Sequence, residues 1–518
     1  MLVKTYASAV TGVQAQTITV EVNTGGQPIA GKPFYYLVGL PDNVVKEGFQ
    51  RMEAAIKNIN CRMVRVKTVV NLAPADIRKE GSAYDLPIAI GVLAATKQVK
   101  KEELDKYVLM GELSLDGGLR PIKGALPIAI QARAEKFKGL IVPKQNAREA
   151  AIVNNLDVYG VENLVDVVDF LNGRKAIEPT FVETRDEFND NQNVFKVDFS
   201  DVKGQDNVKR ALEIAAAGGH NVILIGPPGA GKTMLARRMP TILPPLSLYE
   251  ALETTKIHSV AGILPPESSL VASRPFRSPH HTISDVALVG GGSNPMPGEI
   301  SLSHNGVLFL DELPEFKRSA LEVMRQPMEE RKVTISRAKV TVDYPTNFML
   351  VASMNPCPCG YYSHPTKECV CGAGQVKRYL NKISGPLLDR IDLHVEVTPV
   401  SYDQLSSYAP SEKNSKTISE RVVQARKIQR ERFEKFKGVH SNSQMPSRLV
   451  REVCPLNQAC TTLLKKAMKI QKLSARAYDR ILKVARTSAD LGGSENIKIE
   501  HLAEAIQYRS LDRETWGG

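Results

Sequence analysis

Between Asn221 and Thr233 the sequence reads N-V-I-L-I-G-P-P-G-A-G-K-T: a short apolar run, Val222 to Ile225, entering a glycine-rich turn. Gly226, the four residues Pro227, Pro228, Gly229 and Ala230, and then Gly231-Lys232-Thr233 have the spacing of a phosphate-binding loop between a strand and a helix. Glycines let the backbone curl so that successive N–H groups face inward at a helix N-terminus, where a triphosphate satisfies them. Lys232 is then placed for the β and γ phosphates, and the Thr233 hydroxyl for Mg²⁺. So long a pattern seldom arises by chance in a chain of 518 residues, which leaves a plain glycine-rich turn as the poorer reading.

Downstream, Gly306-Val307-Leu308-Phe309-Leu310-Asp311-Glu312 is a buried-strand pattern ending in two carboxylates. Alone it would pass for a strand reaching a solvated loop. After a phosphate-binding loop it reads as a Walker B strand, Asp311 holding the Mg²⁺ shell and Glu312 polarising the attacking water. Binding and hydrolysis of a nucleoside triphosphate is the expectation.

The chain is long enough for about three domains. It has no run of about 18 apolar residues, so no membrane partner is expected. Met1 to Gln16 lacks the apolar core of a signal peptide, and the expected location is the cytoplasm. Seven cysteines, four of them between Cys357 and Cys371, point to a reduced compartment with one metal site, not a disulfide framework. The formal charge of +12 fits a polyanionic partner and equally a lysine-rich solvated surface.

Residues 1–175 read as a mixed α/β domain. Thr17 to Val22 alternates at period two, Val45 to Asn58 has helical spacing, Leu86 to Ala95 is an apolar helix candidate, and Leu140 to Pro143 reads as a buried strand. Lys79 to Asp85 and Gly111 to Ile122 resemble the proteolytic domain of Lon proteases, which has a ribosomal-protein-S5-like fold. On that alignment Ala83 stands where the nucleophilic serine belongs and Leu126 where the general-base lysine belongs. Ser82 is a neighbouring hydroxyl, with Lys123 the nearest lysine to the second position. A serine–lysine dyad needs both groups in hydrogen-bond reach, so the expectation is a non-catalytic platform.

Residues 176–196 are polar and acidic and read as an exposed linker. The ATPase core is placed at 197–400, with an amphipathic helix from Val208 to Ala217 before the phosphate loop. The wide gap between Lys232 and Asp311 implies an insertion. Within it, His280 and His281 read as structural or substrate-facing, since adjacent residues diverge on any regular element. A helix is expected from Arg318 to Glu329, then a hairpin around Ser336-Arg337-Ala338 whose charged positions from Arg331 to Val342 are all basic. The strand Phe348 to Met354 delivers Asn355, a turn cap or a γ-phosphate sensor. Cys357, Cys359, Cys369 and Cys371 suit tetrahedral zinc, with His364 a possible substitute ligand and free thiols the alternative. Residues 401–518 read as a helical lid. Ile418, Val422, Ala425, Ile428, Phe433 and Phe436 approximate one face, and nine basic residues stand against three acidic ones from Lys413 to Lys437.

Together with Ser353 to Gly360, Leu387 to Leu393 and Ser474 to Arg480, these motifs resemble the AAA+ proteins related to the magnesium-chelatase I subunit. The Lon-like domain and the cysteine loop narrow the likeness to the ComM/YifB group. The resemblance implies a hexameric ring using ATP and Mg²⁺, an AAA+ αβα core with an insert in helix 2 and a hairpin before sensor 1, and a helical lid. It implies a helicase driving branch migration of single-stranded or branched DNA in natural transformation. A magnesium-chelatase-like or chaperone-like ATPase that remodels a protein partner is the alternative. By the same resemblance Asn355 is sensor 1, Arg390 the arginine finger and Arg476 sensor 2. Lys332, Arg337 and Lys339 on the hairpin are the candidate DNA contacts.

Overall fold

A computed structural model describes the chain except residues 26–33, 191, 193–194, 266–267, 293, 338–339, 363, 365, 401–413, 472 and 510–518. The chain is α/β with a helical C-terminal region and forms two compact units, Met1–Asn191 with Leu248–Ala272, and Gln192–Ser247 with Ser273–Gly518.

The first unit is built on a seven-stranded mixed sheet in the order Tyr35–Val38, Lys67–Ala73, Gln14–Gly25, Leu2–Thr11, Tyr107–Leu109, Gly139–Pro143, Asp157–Val161. Period-two alternation in Gln14–Gly25 sends Ile18, Val20 and Val22 into the core, all fully buried. After Asp85, which pairs with Arg51 at 2.7 Å, the helix Asp85–Ala95 is apolar all round and buried all round, as such a helix must be.

Two expectations change here. The acidic stretch read as an exposed linker contains the helix Thr184–Asp190. Val182 and Phe188 are buried, and Arg148 reaches Glu187 at 3.2 Å, because two apolar anchors suffice to hold a short polar segment down. The insertion between the Walker strands also does not stay with the ATPase sheet. Its helix Leu248–Ala261 packs against Ala125–Ala134 of the first unit, and Gly124 N–H donates to Ser259 O at 3.0 Å.

The second unit holds a five-stranded, wholly parallel sheet in the order Phe276–Arg277, Val307–Leu310, Met349–Met354, Val222–Ile225, Leu393–Glu396. The central strands are buried on both faces and read as continuous apolar runs, as parallel strands do. The helices Asp206–Gly218 and Lys232–Ile242 lie against the lid helix Ser415–Phe433, and Asp206–Gly218 also against Ala475–Leu491. One apolar core therefore runs from sheet to lid.

The expected helix from Arg318 to Glu329 is broken into Arg318–Val323 and Arg325–Glu330. Pro327 has no N–H for the carbonyl of Val323, where the first piece ends. On Ser415–Phe433 the buried stripe runs Ile418, Val422, Ala425, Gln429, Phe433, while Ile428 and Phe436 are each 37% exposed. Gln429 tolerates burial because it donates to Ala217 O at 3.1 Å and accepts from Asn442 N–H at 2.9 Å.

Candidate active site

Parallel strands deliver their following residues to one edge of the sheet, and at that edge the phosphate loop, Asp311 and Asn355 converge. Gly231 has φ +88°, a conformation open to glycine, and the helix Lys232–Ile242 starts from it. Lys232 is buried. Its ammonium donates to Gly226 O at 2.6 Å, Pro227 O at 2.9 Å and Asn355 Oδ1 at 3.1 Å. Burial draws its pKa down, opposed by the charges of Asp311 and Glu312. Thr233 Oγ1 donates to Asp311 Oδ2 at 2.7 Å, so hydroxyl and carboxylate already share the place where both would ligate Mg²⁺.

Two neighbours complete this site: Ser353, which the sequence does not mark, and His281, which it marks as structural or substrate-facing. Ser353, on the strand before Asn355, donates to Asp311 Oδ1 and fixes the carboxylate from its other side. His281 brings Nδ1 to 3.6 Å from Glu312 Oε2. Glu312 holds a left-handed backbone at φ +54°, tied by its N–H to Asp311 Oδ1 at 3.1 Å and Ser353 Oγ at 3.4 Å. Such a residue away from glycine costs roughly 1 kcal/mol and points to a functional constraint.

Arg390 and Arg476 are not part of this cluster. Arg390 precedes the strand Leu393–Glu396, and so lies at the opposite edge of the parallel sheet from the phosphate loop. Its guanidinium is 7% exposed, ion-paired to Glu329 at 2.6 Å and donating to Pro386 O at 2.5 Å. Arg476 lies beside it in the chain's fold, 3.8 Å from Asp389. Asp392 completes this edge. Fully buried, it meets Arg480 of the lid at 2.7 Å, His220 Nδ1 at 3.2 Å and Asn221 N–H at 3.2 Å. Burial alone would raise its pKa, but the Arg480 charge and the His220 contact hold it well below the usual carboxylate range.

Family models for the magnesium chelatase ChlI subunit match residues 20–146 and 198–405, and one for its C-terminal part matches 412–509. The competence protein ComM of Haemophilus influenzae is 43% identical over 510 residues, covering 98% of this chain and 97% of that protein. YifB of Escherichia coli is 43% identical over 511 residues, with the same coverage of both. The chain belongs to the ComM/YifB family. It is a magnesium-chelatase-like AAA+ ATPase, and ATP with Mg²⁺ fits the convergence of Lys232, Thr233 and Asp311. Lon protease 2 of Bacillus subtilis is 30% identical over 151 residues, 27% of this chain and 26% of that protein.

At the two positions that align with the Lon dyad neither group is present. Ala83 has no hydroxyl, and Leu126 is fully buried with its N–H bound to Glu149 Oε1 at 3.0 Å. Ser82 donates to a carboxylate, Glu112, which is no substitute for an amine.

The cysteine loop follows Asn355 directly. Cys357 Sγ lies 3.3 Å from Cys359 Sγ and 3.7 Å from Cys369 Sγ, Cys359 Sγ lies 3.6 Å from Cys369 Sγ, and all four sulfurs fall within 4.8 Å of one another. Tetrahedral zinc with Zn–S near 2.3 Å sets its sulfurs about 3.8 Å apart, so the four fit a metal of that kind. His364 is otherwise engaged, its Nδ1 accepting from Thr366 N–H at 3.2 Å and Lys367 N–H at 3.1 Å. The loop also presses on the phosphate loop. A Cβ on Gly360 would stand 2.6 Å from Pro228 Cδ.

The hairpin consists of Lys332–Arg337 paired antiparallel with Val340–Pro345. It extends beyond Val342, and its charge is not wholly basic. Asp343 lies 3.8 Å from Lys332 and accepts from Thr334 Oγ1 at 2.5 Å. Arg337 is exposed near the tip, while Lys339 lies outside the described residues. The basic lid helix is less free than its composition suggests. Arg421 pairs with Glu213 at 2.5 Å, Arg432 with Asp490 at 2.6 Å, and Arg426 donates to Ala216 O at 3.2 Å. Among the described residues no helix is long and apolar enough to cross a membrane.

Proposed function

We propose that this ATPase is a ring-forming DNA motor, hexameric, that moves single-stranded or branched DNA and drives branch migration. The observation that carries the reading is a pair of elements the ATPase sheet does not need. The ribbon Gly290–Gly291 with Met296–Pro297 and the hairpin Lys332–Pro345 pack on each other through Tyr344, whose buried hydroxyl donates to Pro295 O at 2.7 Å. Arg337 is exposed on this pair, its guanidinium beside Gly291, and the formal charge of +12 supplies the long-range attraction a polyanion needs. Similarity over nearly the whole chain to a protein named for competence supports the same reading.

In this mechanism Lys232 holds the β and γ phosphates, and Thr233 and Asp311 hold Mg²⁺. Glu312 polarises the attacking water and Asn355 senses the γ-phosphate. Mg²⁺, when bound by Thr233 and Asp311, would supply neutralisation of the charge developing on the phosphate oxygens. Arg390 is the arginine finger acting on the nucleotide of the adjoining subunit, a role supported by its position at the far edge of the parallel sheet from its own phosphate loop, and Arg476 is sensor 2. Cys357, Cys359, Cys369 and Cys371 would hold zinc, which would brace the segment that follows Asn355.

A magnesium-chelatase-like ATPase that remodels a protein partner is the second reading, favoured by the ChlI matches along the chain. ATP hydrolysis measured alone, with single strands and with a four-way junction separates the two. Several-fold stimulation by DNA is expected, and identical rates in all three would overturn the DNA reading.

A further inference from the structure

From Cys357 to Cys371 only Cys357 and Gly360 are buried among the described residues, and Val370 is 85% exposed. No apolar core therefore fixes this loop, and its shape depends on the four gathered sulfurs and a few local bonds. Gly360 N–H donates to Cys357 O at 3.0 Å, and Tyr362 N–H donates to Cys357 Sγ at 3.3 Å. The turn that carries Gly360 is thus wound around one of the four cysteines.

That turn meets the phosphate loop. Gly360 has φ +85°, and a Cβ there would stand 2.6 Å from Pro228 Cδ and 3.2 Å from Pro228 Cγ, so only a hydrogen fits between the backbone and the proline ring. Gly226, at the start of the phosphate loop, is fixed by the sheet, its N–H donating to Met354 O at 3.2 Å. Beyond it Pro228 is exposed, and a Cβ on Gly229 or Gly231 would meet nothing within 4 Å. Asn355 holds the loop from within, through the Lys232 ammonium that also spans Gly226 O and Pro227 O. Buried Tyr379, on the helix Ala373–Leu380 after the cysteines, meets the Asn355 backbone N–H with its phenol oxygen. Gly360 is the matching stop on the outside.

We infer that Gly360 is a positioning residue that keeps the phosphate loop shaped for ATP, and that ATP affinity follows whether the four cysteines hold their metal. A phosphate loop binds only when its N–H groups already face inward, and the time spent in other shapes lowers the apparent affinity in proportion. With the sulfurs gathered on one ion, Gly360 stands against Pro228 and the loop is shaped in advance. With the ion removed, nothing apolar keeps the turn in place, and Pro228 loses its stop. The inference rests on zinc in the cysteine loop and extends it to control of nucleotide binding.

The test uses the full-length chain with Gly360→Ala, Pro228→Ala and the two combined. Each is assayed for zinc by elemental analysis and for binding of a fluorescent ATP analogue at constant Mg²⁺. Gly360→Ala should weaken binding about tenfold, the loss expected of a loop competent roughly a tenth of the time, and raise KM alike with kcat near wild type. The double variant should bind more tightly than Gly360→Ala, because alanine at position 228 frees the space. Strain from alanine at a positive φ is the same in both and cannot produce that recovery. Stripping wild type with a zinc-selective chelator should weaken binding to a similar degree, and added zinc should restore it. Unchanged affinity in Gly360→Ala, or a double variant as weak as Gly360→Ala, overturns the role of Gly360. Equal affinity with and without zinc overturns the control by metal. If Gly360→Ala misfolds by circular dichroism, Pro228→Ala carries the test: zinc removal should cost it less affinity than it costs wild type, and an equal cost overturns the inference. Wild-type protein that holds no zinc would defeat the zinc reading, while the double-variant comparison would still decide whether Gly360 sets the loop.

Discussion

Replacing Arg390 with alanine should leave ATP binding intact and nearly abolish hydrolysis, and the loss should be repairable by a different inactive subunit. The strand Val222–Ile225 that leads into the phosphate loop spans about 13 Å, and Arg390 stands beyond the far end of its parallel neighbour Leu393–Glu396. An extended arginine reaches about 7 Å, too short to return to its own γ-phosphate. Removing a finger that acts on a neighbour costs roughly a thousandfold or more in rate. Lys232→Ala subunits fail for the complementary reason: they keep Arg390 but lose the phosphate lysine. In a mixed ring a site works where an Arg390→Ala subunit, with its intact loop, meets a Lys232→Ala subunit with its intact arginine in the required order. Random assembly at equal amounts makes about one interface in four competent, so activity should peak near a quarter of wild type at that ratio. The assay is a titration of one inactive protein into the other under subunit exchange, read by phosphate release. No recovery at any ratio, with mixed rings shown by differently tagged subunits, would refute the geometry argument and leave Arg390 as the structural partner of Glu329.

Glu312→Gln should bind ATP with near-normal affinity and stall, and hydrolysis at the wild-type rate would remove Glu312 from its role. Protein purified without added metal should carry close to one zinc per chain by elemental analysis, and Cys369→Ser should lose most of it together with thermal stability. Double substitution of Arg337 and Lys339 by alanine should weaken DNA binding for all sequences and reduce the slope of log affinity against log salt by about two, read by fluorescence anisotropy. Asp392→Ala should destabilise the ATPase unit by about 3–5 kcal/mol, because Arg480 and the Asn221 N–H lose a buried acceptor, and should lower its melting temperature by about 10 °C. The folded-state pKa of Asp392 is depressed, so its contribution is fully present above the ordinary carboxylate range and fades as pH falls below it. In differential scanning fluorimetry the gap between wild type and variant should accordingly narrow in strong acid.

What could be read from the sequence was what is coded by short, rigid spacing. The phosphate loop and the strand ending in Asp311 are local patterns, and a parallel sheet brings such strand ends together without further instruction. The convergence of Thr233 with Asp311 and of Lys232 with Asn355 follows from that. The four cysteines were equally visible, since two close pairs can meet with little chain between them. Ser353 was not, and neither was the approach of His281, read as structural or substrate-facing, to Glu312, because each acquires its meaning here only from a carboxylate distant in sequence. Gln429 was missed for a related reason: an apolar stripe admits an amide when two backbone partners await it. Asp343 escaped notice because the hairpin's second strand runs further than its alternating pattern suggested, and Pro327 broke a helix whose other residues favoured continuity.

The helix Leu248–Ala261 has a consequence for how this chain can be cut. Ala251, Ile257 and Val260 are buried among residues of the first unit, although they are encoded inside the ATPase segment. A protease or a cloning primer that removed the first 191 residues would leave this helix with a bare apolar face, and would not release a self-sufficient motor. The reciprocal fragment would lack one of its own helices. Three separate passages of the chain join the two units, so losing or exchanging one without the other takes more than a single break. The pair is therefore bound to be inherited, expressed and degraded together.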